Sequence, residues 1–242
     1  MIESKSFYDT IALSVVHEKG GTMSQLFTTK KVLFVFLVML MFIVPFSVRT
    51  ACAQVPKDAD EAFHSMLDKL KREGIISSTD GESTYYGDYT DEWAQINYYQ
   101  WLTFEHSNRF VFSATVSWTS ASTTPNNFVA GCGVTFNSGP GNGNHLLASI
   151  RMDGLVYFDG FRNGYTLSYG TYKYDRPSIM GTKQMVLVVD GDRATMYLDG
   201  ERFVRKADLP IMGDGVGLST LSGTNKDFGT RCEWEDIFFY TW

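Results

Sequence analysis

The sequence predicts an all-β protein, either a sandwich or a barrel, with one short helix before the first strand. From Ile75 to Trp242, apolar and aromatic runs alternate with Gly, Asn, Asp and Ser turns, giving about twelve strand candidates. No helical pattern lies between these runs, so a parallel sheet is not expected. No internal repeat of about 20–50 residues is present either, which disfavours propellers and solenoids.

The N-terminal region carries the features of a secretion signal. Lys30 and Lys31 precede the apolar run 32–44, and Ala51-Cys-Ala53 supplies a small-residue cleavage site. This run is shorter than the roughly 20 residues that a membrane-spanning helix needs. We therefore predict that residues 23–53 are a signal peptide; a membrane anchor with the domain outside is the alternative. Residues 1–22 are predicted to be an over-extended start or disordered.

Cleavage after Ala53 leaves one domain-sized chain for a secreted or extracytoplasmic location. Removing five of the 21 Lys and Arg residues and three of the 27 Asp and Glu residues leaves 16 basic and 24 acidic residues, a net charge of −8. That charge, without a basic cluster among aromatics, argues against nucleic acid as a partner. Membrane contact is expected only through the N-terminal segment, if it is uncleaved.

Two cysteines remain after cleavage, because Cys52 leaves with the signal. In an oxidising compartment, Cys132 and Cys232 are predicted to form a disulfide that closes a loop of about 100 residues. Two buried free thiols are the alternative. No second Cys or His lies at metal-ligand spacing from either, so metal binding is not expected.

A single amphipathic helix is predicted between Pro56 and Gly74. Its apolar residues recur at steps of three and four, including Phe63, Leu67 and Leu70. Acidic residues occupy its first turn and basic residues its last, as the helix dipole favours. Residues 54–82 are therefore interpreted as a helix and linker.

The strand pattern is clearest at three places. Residues 109–118 alternate between an apolar face and a face expected to meet water or a ligand. Asp153-Gly154 and Asp199-Gly200 each lie between apolar-rich runs, which is typical of tight hairpins. The run 185–189 is apolar at every position, so its strand is expected inside a sheet.

Candidate ligand-binding residues cluster around the first of these hairpins. Alternation places His145, Ser149 and Arg151 off the core face, where polar groups and flat rings suit sugar recognition. A tyrosine-rich sandwich without a site is the alternative interpretation. The candidate residues are Asn144, His145, Arg151, Tyr157 and Tyr169, with Asn142 beside them.

No catalytic motif and no cofactor site is predicted. The chain contains neither G-x-S-x-G nor H-E-x-x-H. Carboxylates such as Asp190 and Asp192 are the oxygen ligands that calcium prefers, but the surrounding loop does not match the calcium-loop pattern. An ordinary Asp-Gly turn explains both residues, so calcium is retained only as a weak possibility.

Three segments resemble concanavalin A-like jelly rolls, including the laminin-G-like group. Tyr197-Leu-Asp-Gly200 resembles their x-x-Y-x-D-G hairpin, and the stretch 218–242 resembles their closing strands. Phe128–Phe136, a glycine-rich loop and His145-Leu-Leu resemble uncharacterised exported bacterial members. The resemblance covers about Ser83 to Trp242. It implies a two-sheet antiparallel jelly-roll sandwich over residues 83–242.

The superfamily includes lectins, glycan hydrolases and adhesion modules, so the fold alone does not choose a function. Its glucanases carry E-x-D-x-x-E on one strand, and the nearest string here, which begins at Glu233, lacks the final acid. We therefore predict an exported, non-enzymatic binding or interaction module for a glycan or cell-surface polymer. The alternatives are a glycoside hydrolase or lyase with an unrecognised carboxylate site, and a structural cell-envelope protein.

Overall fold

The structure, a computed structural model, describes residues 55–139 and 143–242. The predicted signal segment, Cys52 and Asn142 lie outside the described residues. The elements are α1 (Lys57–Arg72), β1 (Glu82–Trp93), β2 (Tyr99–His106), β3 (Arg109–Ser120), β4 (Gly131–Ser138), β5 (His145–Arg151), β6 (Leu155–Arg162), β7 (Tyr165–Lys173), β8 (Met180–Asp190), β9 (Arg193–Leu198), β10 (Glu201–Lys206), β11 (Gly215–Leu221) and β12 (Thr230–Thr241). Among the described residues, no helix has the length and apolar character needed to cross a membrane.

The strands form two antiparallel sheets of six strands each. Sheet A has the order β1-β12-β3-β8-β9-β10, and sheet B has the order β2-β11-β4-β5-β6-β7. β1, β3, β8–β10 and β12 lie in sheet A, whereas β2, β4–β7 and β11 lie in sheet B, so the chain crosses repeatedly between the sheets. This arrangement confirms the predicted all-β jelly-roll sandwich with a short N-terminal helix. It also confirms that β8, the strand with the continuous apolar run, lies inside its sheet.

The main core lies between the two sheets and is built from alternate residues of each strand. It is largely aliphatic on sheet B and rich in aromatic rings on sheet A. Its fully buried members include Phe110, Phe112, Val134, Phe136, Ile150, Phe158 and Trp234. The predicted Cys132–Cys232 disulfide is present in this core and joins β4 of sheet B to β12 of sheet A.

A second core forms where α1 packs on the outer face of sheet A. Phe63 of the helix stacks on Phe238 of β12, with 4.5 Å between the ring centroids. Leu67 and Leu70 are also buried against this face. The helix therefore covers Val111, which the strand pattern placed on the side of β3 that meets water or a ligand. That part of the expectation is wrong, because α1 covers this face.

The hairpin turns differ in detail from the Asp-Gly pattern. Asp199 and Gly200 both have positive φ, as the predicted two-residue turn requires. At the β5–β6 turn, Gly154 has a positive φ, whereas Asp153 accepts a hydrogen bond from the Leu155 backbone N–H through its side chain. This second turn therefore uses an aspartate side chain to fix the chain reversal.

Candidate functional site

A cavity of about 560 Å³ lies on the outer face of sheet B. Leu146, Ala148 and Ile150 of β5 point into the main core, so the alternate residues of this strand point outward. The cavity therefore takes its floor from outward-facing side chains and its rim from loops at one end of the sheet. Its lining includes Tyr99, Phe128, His145, Arg151, Tyr157 and Asp159.

Glycines occupy outward-facing positions on the two central strands, where the surrounding atoms leave no space for a side chain. A side-chain carbon added at Gly133 of β4 would lie 2.9 Å from Leu147 Cδ1, and one at Gly217 of β11 would lie 2.7 Å from the Leu102 carbonyl oxygen. Such contacts are too short for any side chain. On the same sheet, Tyr99 of β2 contacts His145 of β5, although β11 and β4 lie between these strands.

His145 is held in one orientation and one tautomer. Its Nδ1 lies 2.6 Å from the Gly143 carbonyl oxygen, which can only accept, so Nδ1 carries the proton. Its Nε2 then accepts a hydrogen bond from the Tyr99 hydroxyl at 2.7 Å. Burial lowers the pKa of His145, and the Gly143 carbonyl only partly opposes this effect. Burial also raises the pKa of Tyr99 to about 12, so its hydroxyl keeps its proton.

Arg151 connects the floor of the cavity to its rim. Its guanidinium forms an ion pair with Asp159 and lies 3.9 Å from the centroid of the Tyr157 ring. Its Nη1 donates to the Phe128 backbone carbonyl at 2.8 Å, and its Nε donates to the Ser149 hydroxyl at 3.2 Å. Because these partners surround the guanidinium, Arg151 positions the Phe128 loop as well as lining the cavity.

The described lining carries no net charge. Burial raises the pKa of Asp159, and the Arg151 guanidinium opposes the shift, so the carboxylate and guanidinium compensate one another. Burial and the Asp153 carboxylate raise the pKa of Tyr157, which donates its hydroxyl proton to that carboxylate at 2.7 Å. Since His145 is also held neutral, the lining offers hydrogen-bonding groups without an excess of either charge.

Two exposed aromatic rings stand at the rim. Tyr98 is 60% exposed and Phe128 is 56% exposed, although both line the cavity. Their loops are tied together, because Asn97 and Tyr98 exchange backbone hydrogen bonds with Ser222, and the Asn126 side chain bonds to Asn97. Flat rings held on such a rim are suited to stacking on the C–H face of a sugar.

The structure brings together three of the predicted ligand-binding residues and separates two. His145, Arg151 and Tyr157 all line the cavity. Asn144 lies beside it, where its carboxamide oxygen accepts from the Asn163 backbone N–H at 2.8 Å and holds the β6–β7 turn. Tyr169 occupies a bulge of β7 and packs against the main core, so it lies outside the lining. A ligand role for these residues stays a prediction.

Tyr98, Tyr99, Phe128 and Asp159 were missed by the sequence analysis. Tyr99 and Phe128 belong to segments distant from His145 in sequence, and only the sheet order brings them together. One usable signal was the absence of bulky residues at alternate positions of β4 and β11. Asp190 and Asp192, which the sequence pattern explains as part of an Asp-Gly turn, lie outside this lining: Asp190 pairs with Arg109 at 3.0 Å, and Asp192 lies 3.9 Å from Arg193.

No protein-family model matches the chain, and no curated protein matches its sequence. Similar solved structures include the carbohydrate binding module CBM66 from Bacillus subtilis. It is 16% identical over 61% of this chain and 99% of its own, with a TM-score of 0.43. A galectin from Caenorhabditis elegans is 13% identical over 62% of this chain and 95% of its own, with a TM-score of 0.41. A β-glucanase from Bacillus licheniformis is 12% identical over 57% of this chain and 68% of its own, with a TM-score of 0.39.

These three proteins are concanavalin A-like jelly rolls, the class that the sequence resembles. All three TM-scores lie below 0.5, so the fold assignment given above depends on the strand order of this chain itself. None of the three names transfers a ligand or an activity to this chain.

Proposed function

We propose that the protein is a glycan-binding module that holds an uncharged sugar in the cavity on the outer face of sheet B. The observation that supports this proposal is the combination of a polar, charge-balanced floor with exposed aromatic rings at the rim. Sugars present hydroxyl groups at their edges and C–H groups on their faces, so both parts of the cavity have a partner.

On the floor of the cavity, the donor and acceptor atoms of the polar side chains are fixed. The Tyr99–His145 pair is fixed in its proton positions, and the Arg151–Asp159 pair combines donors with acceptors in one place. A ligand with a net charge would have no compensating charge in the described lining. We therefore favour neutral sugars over uronic acids or sulfated glycans.

The disulfide supports a place of action outside the cytoplasm. Bonds of this kind persist in oxidising compartments and are rare in reducing ones. Together with the signal features of residues 23–53, the Cys132–Cys232 bond makes export part of the proposal. A polymer on a cell surface or in the surrounding medium is then the accessible source of glycan.

Titration calorimetry of the purified protein against neutral and acidic polysaccharides tests the proposal. Neutral glucan, mannan, xylan and fructan form one group, and alginate and heparin form the other. We expect at least one neutral polysaccharide to bind and the acidic ones to bind more weakly. Phe128→Ala and Tyr98→Ala should each weaken binding about tenfold, the loss of one stacking contact of roughly 1.4 kcal/mol.

Tyr165→Ala is the matched control, because Tyr165 is 73% exposed at the start of β7 and does not line the cavity. It should leave affinity unchanged. Equal losses in all three variants would place binding elsewhere, and no binding by any polysaccharide would overturn the proposal. Reducing sugar released from a bound polysaccharide would instead indicate a hydrolase, for which Asp159 is the sole carboxylate in the described lining.

A further inference from the structure

A second cavity, of about 370 Å³, lies on the same outer face of sheet B. It is lined by Trp101, Thr103 and His106 of β2, together with Ser138, Asp214 and Gly215. The first cavity does not include these residues, and the proposed function makes no use of them.

One pair of aromatic rings separates the two cavities. Trp101 lines the second cavity and His145 lines the first, and their ring centroids are 4.7 Å apart. Trp101 is 38% exposed despite this contact, so part of its indole ring is accessible to a ligand. A ligand lying across the dividing wall would therefore cover the exposed part of this indole.

The second cavity also contains polar groups that can form further hydrogen bonds. His106 Nδ1 lies 3.1 Å from Asp214 Oδ1, and both side chains are more than half exposed. This leaves His106 Nε2 and the second carboxylate oxygen of Asp214 open to solvent. A neighbouring nitrogen and carboxylate oxygen can bond to adjacent sugar hydroxyls, as the polar groups of the first cavity can.

The edge strand β2 runs beside both cavities and sets their combined length. Tyr99 lines the first cavity, Trp101 lies at the wall, and His106 lines the second. The eight residues of extended strand from Tyr99 to His106 span roughly 23 Å, about 3.3 Å for each step between neighbouring residues. A sugar of one or two units is too short to occupy both cavities, whereas a linear oligosaccharide reaches from one to the other.

We infer that the ligand is a stretch of a linear, uncharged polysaccharide that crosses both cavities over Trp101, with the His106–Asp214 pair binding its far end. This inference depends on the proposed glycan binding and adds a chain-length requirement to it. A short sugar should bind in the first cavity alone.

The test compares disaccharides with hexasaccharides of the same linkage by titration calorimetry. The probes are cellobiose and cellohexaose, laminaribiose and laminarihexaose, and mannobiose and mannohexaose. We expect one hexasaccharide to bind at least tenfold more tightly than its disaccharide. His106→Ala should remove most of that gain without changing disaccharide affinity. His64→Ala is the control, because His64 is an exposed histidine on α1 that pairs with Asp60 at 3.5 Å and lines neither cavity.

Trp101→Ala should also abolish the hexasaccharide gain, and circular dichroism will show whether this variant is folded. His106 is exposed and makes no core contact, so its variant tests the inference even if Trp101→Ala unfolds. Equal affinity for the short and long sugars would overturn the inference and leave the proposed function intact. An equal loss of both affinities in His106→Ala would also overturn it. If none of these probes binds, the inference is overturned, whereas the polysaccharide titrations decide the proposed function separately.

Discussion

The outer faces of the two sheets differ, although each sheet has six strands and contributes to the same core. Sheet A presents Val111, Val186 and Val188 outward, and α1 covers them. Sheet B presents Gly133 and Ser219 at comparable central positions and has two cavities instead of a helix. One face is completed by the chain itself, and the other is open to a partner.

This difference shows how the outward-facing side chains of a sheet determine what packs on that face. Burying an apolar side chain contributes about 1.5–3 kcal/mol, so an aliphatic outer face favours a covering element. Phe63, Leu67 and Leu70 supply that burial on sheet A. Glycine and serine gain little from being covered, so sheet B gives no comparable driving force for a helix. Its small side chains instead let aromatic rings from β2 lie over the central strands.

The largest expected effect comes from removing the Cys132–Cys232 disulfide, which cross-links the two sheets. Replacing Cys132 and Cys232 together by alanine should lower the free energy of unfolding by about 4–5 kcal/mol, because the unfolded chain loses a cross-link over 100 residues. Urea unfolding monitored by tryptophan fluorescence measures this change. A loss below about 1 kcal/mol would show that the bond contributes little to stability.

Removing a helix side chain should affect sheet A and spare the cavities. Leu67 of α1 is buried against sheet A, so Leu67→Ala should cost about 2–5 kcal/mol of unfolding free energy. Glycan affinity should remain that of the unaltered protein, since the cavities lie on the other sheet. Asp68→Ala, at the neighbouring exposed position, is the control and should cost less than about 0.5 kcal/mol. A loss of affinity in folded Leu67→Ala protein would contradict the independence of the two faces.

The smallest expected effect is a pH dependence that originates on sheet B. Burial lowers the folded-state pKa of His145 below its ordinary value near 6.5. Below pH 6.5 the unfolded chain therefore binds a proton that the folded chain resists. As the pH falls below 6.5, the free energy of unfolding should therefore decrease, by at most about 1.4 kcal/mol per pH unit, until the folded-state pKa is reached.

Urea unfolding at intervals from pH 7.5 to pH 5 measures this slope in the unaltered protein and in His145→Gln. Glutamine keeps a hydrogen-bonding group beside Tyr99 but does not titrate. The variant should lose stability less steeply as the pH falls. Identical slopes would show that His145 is not the group responsible.

Many elements of the fold could be predicted, because each of them is determined by residues that are neighbours in the sequence. The alternation of β5, the turn at Asp199-Gly200 and the amphipathic stripe of α1 each depend on neighbouring residues. The disulfide followed from removing Cys52, which left a single pair. The covering of Val111 was missed, because alternation shows which residues share a face but not what packs on it.

The candidate site was harder to predict, because strands distant in sequence form it. His145, Arg151 and Tyr157 belong to one hairpin, so sequence alternation found them together. Tyr169 was expected with them, but a bulge between Phe158 and Asp159 in the β6–β7 register turns its ring toward the core. No local pattern in the sequence marks that bulge.

The Cys132–Cys232 bond has a mechanical consequence under the proposed binding of a polysaccharide. Tension on a bound chain would act first on sheet B, while the N-terminal helix is packed on sheet A. The bond links β4, a central strand of sheet B, to β12, an interior strand of sheet A. A pulling force on sheet B is therefore transmitted to sheet A through this covalent bond as well as through the apolar contacts between the sheets. With the disulfide formed, the two sheets should therefore separate less easily under a pulling force than in the reduced protein.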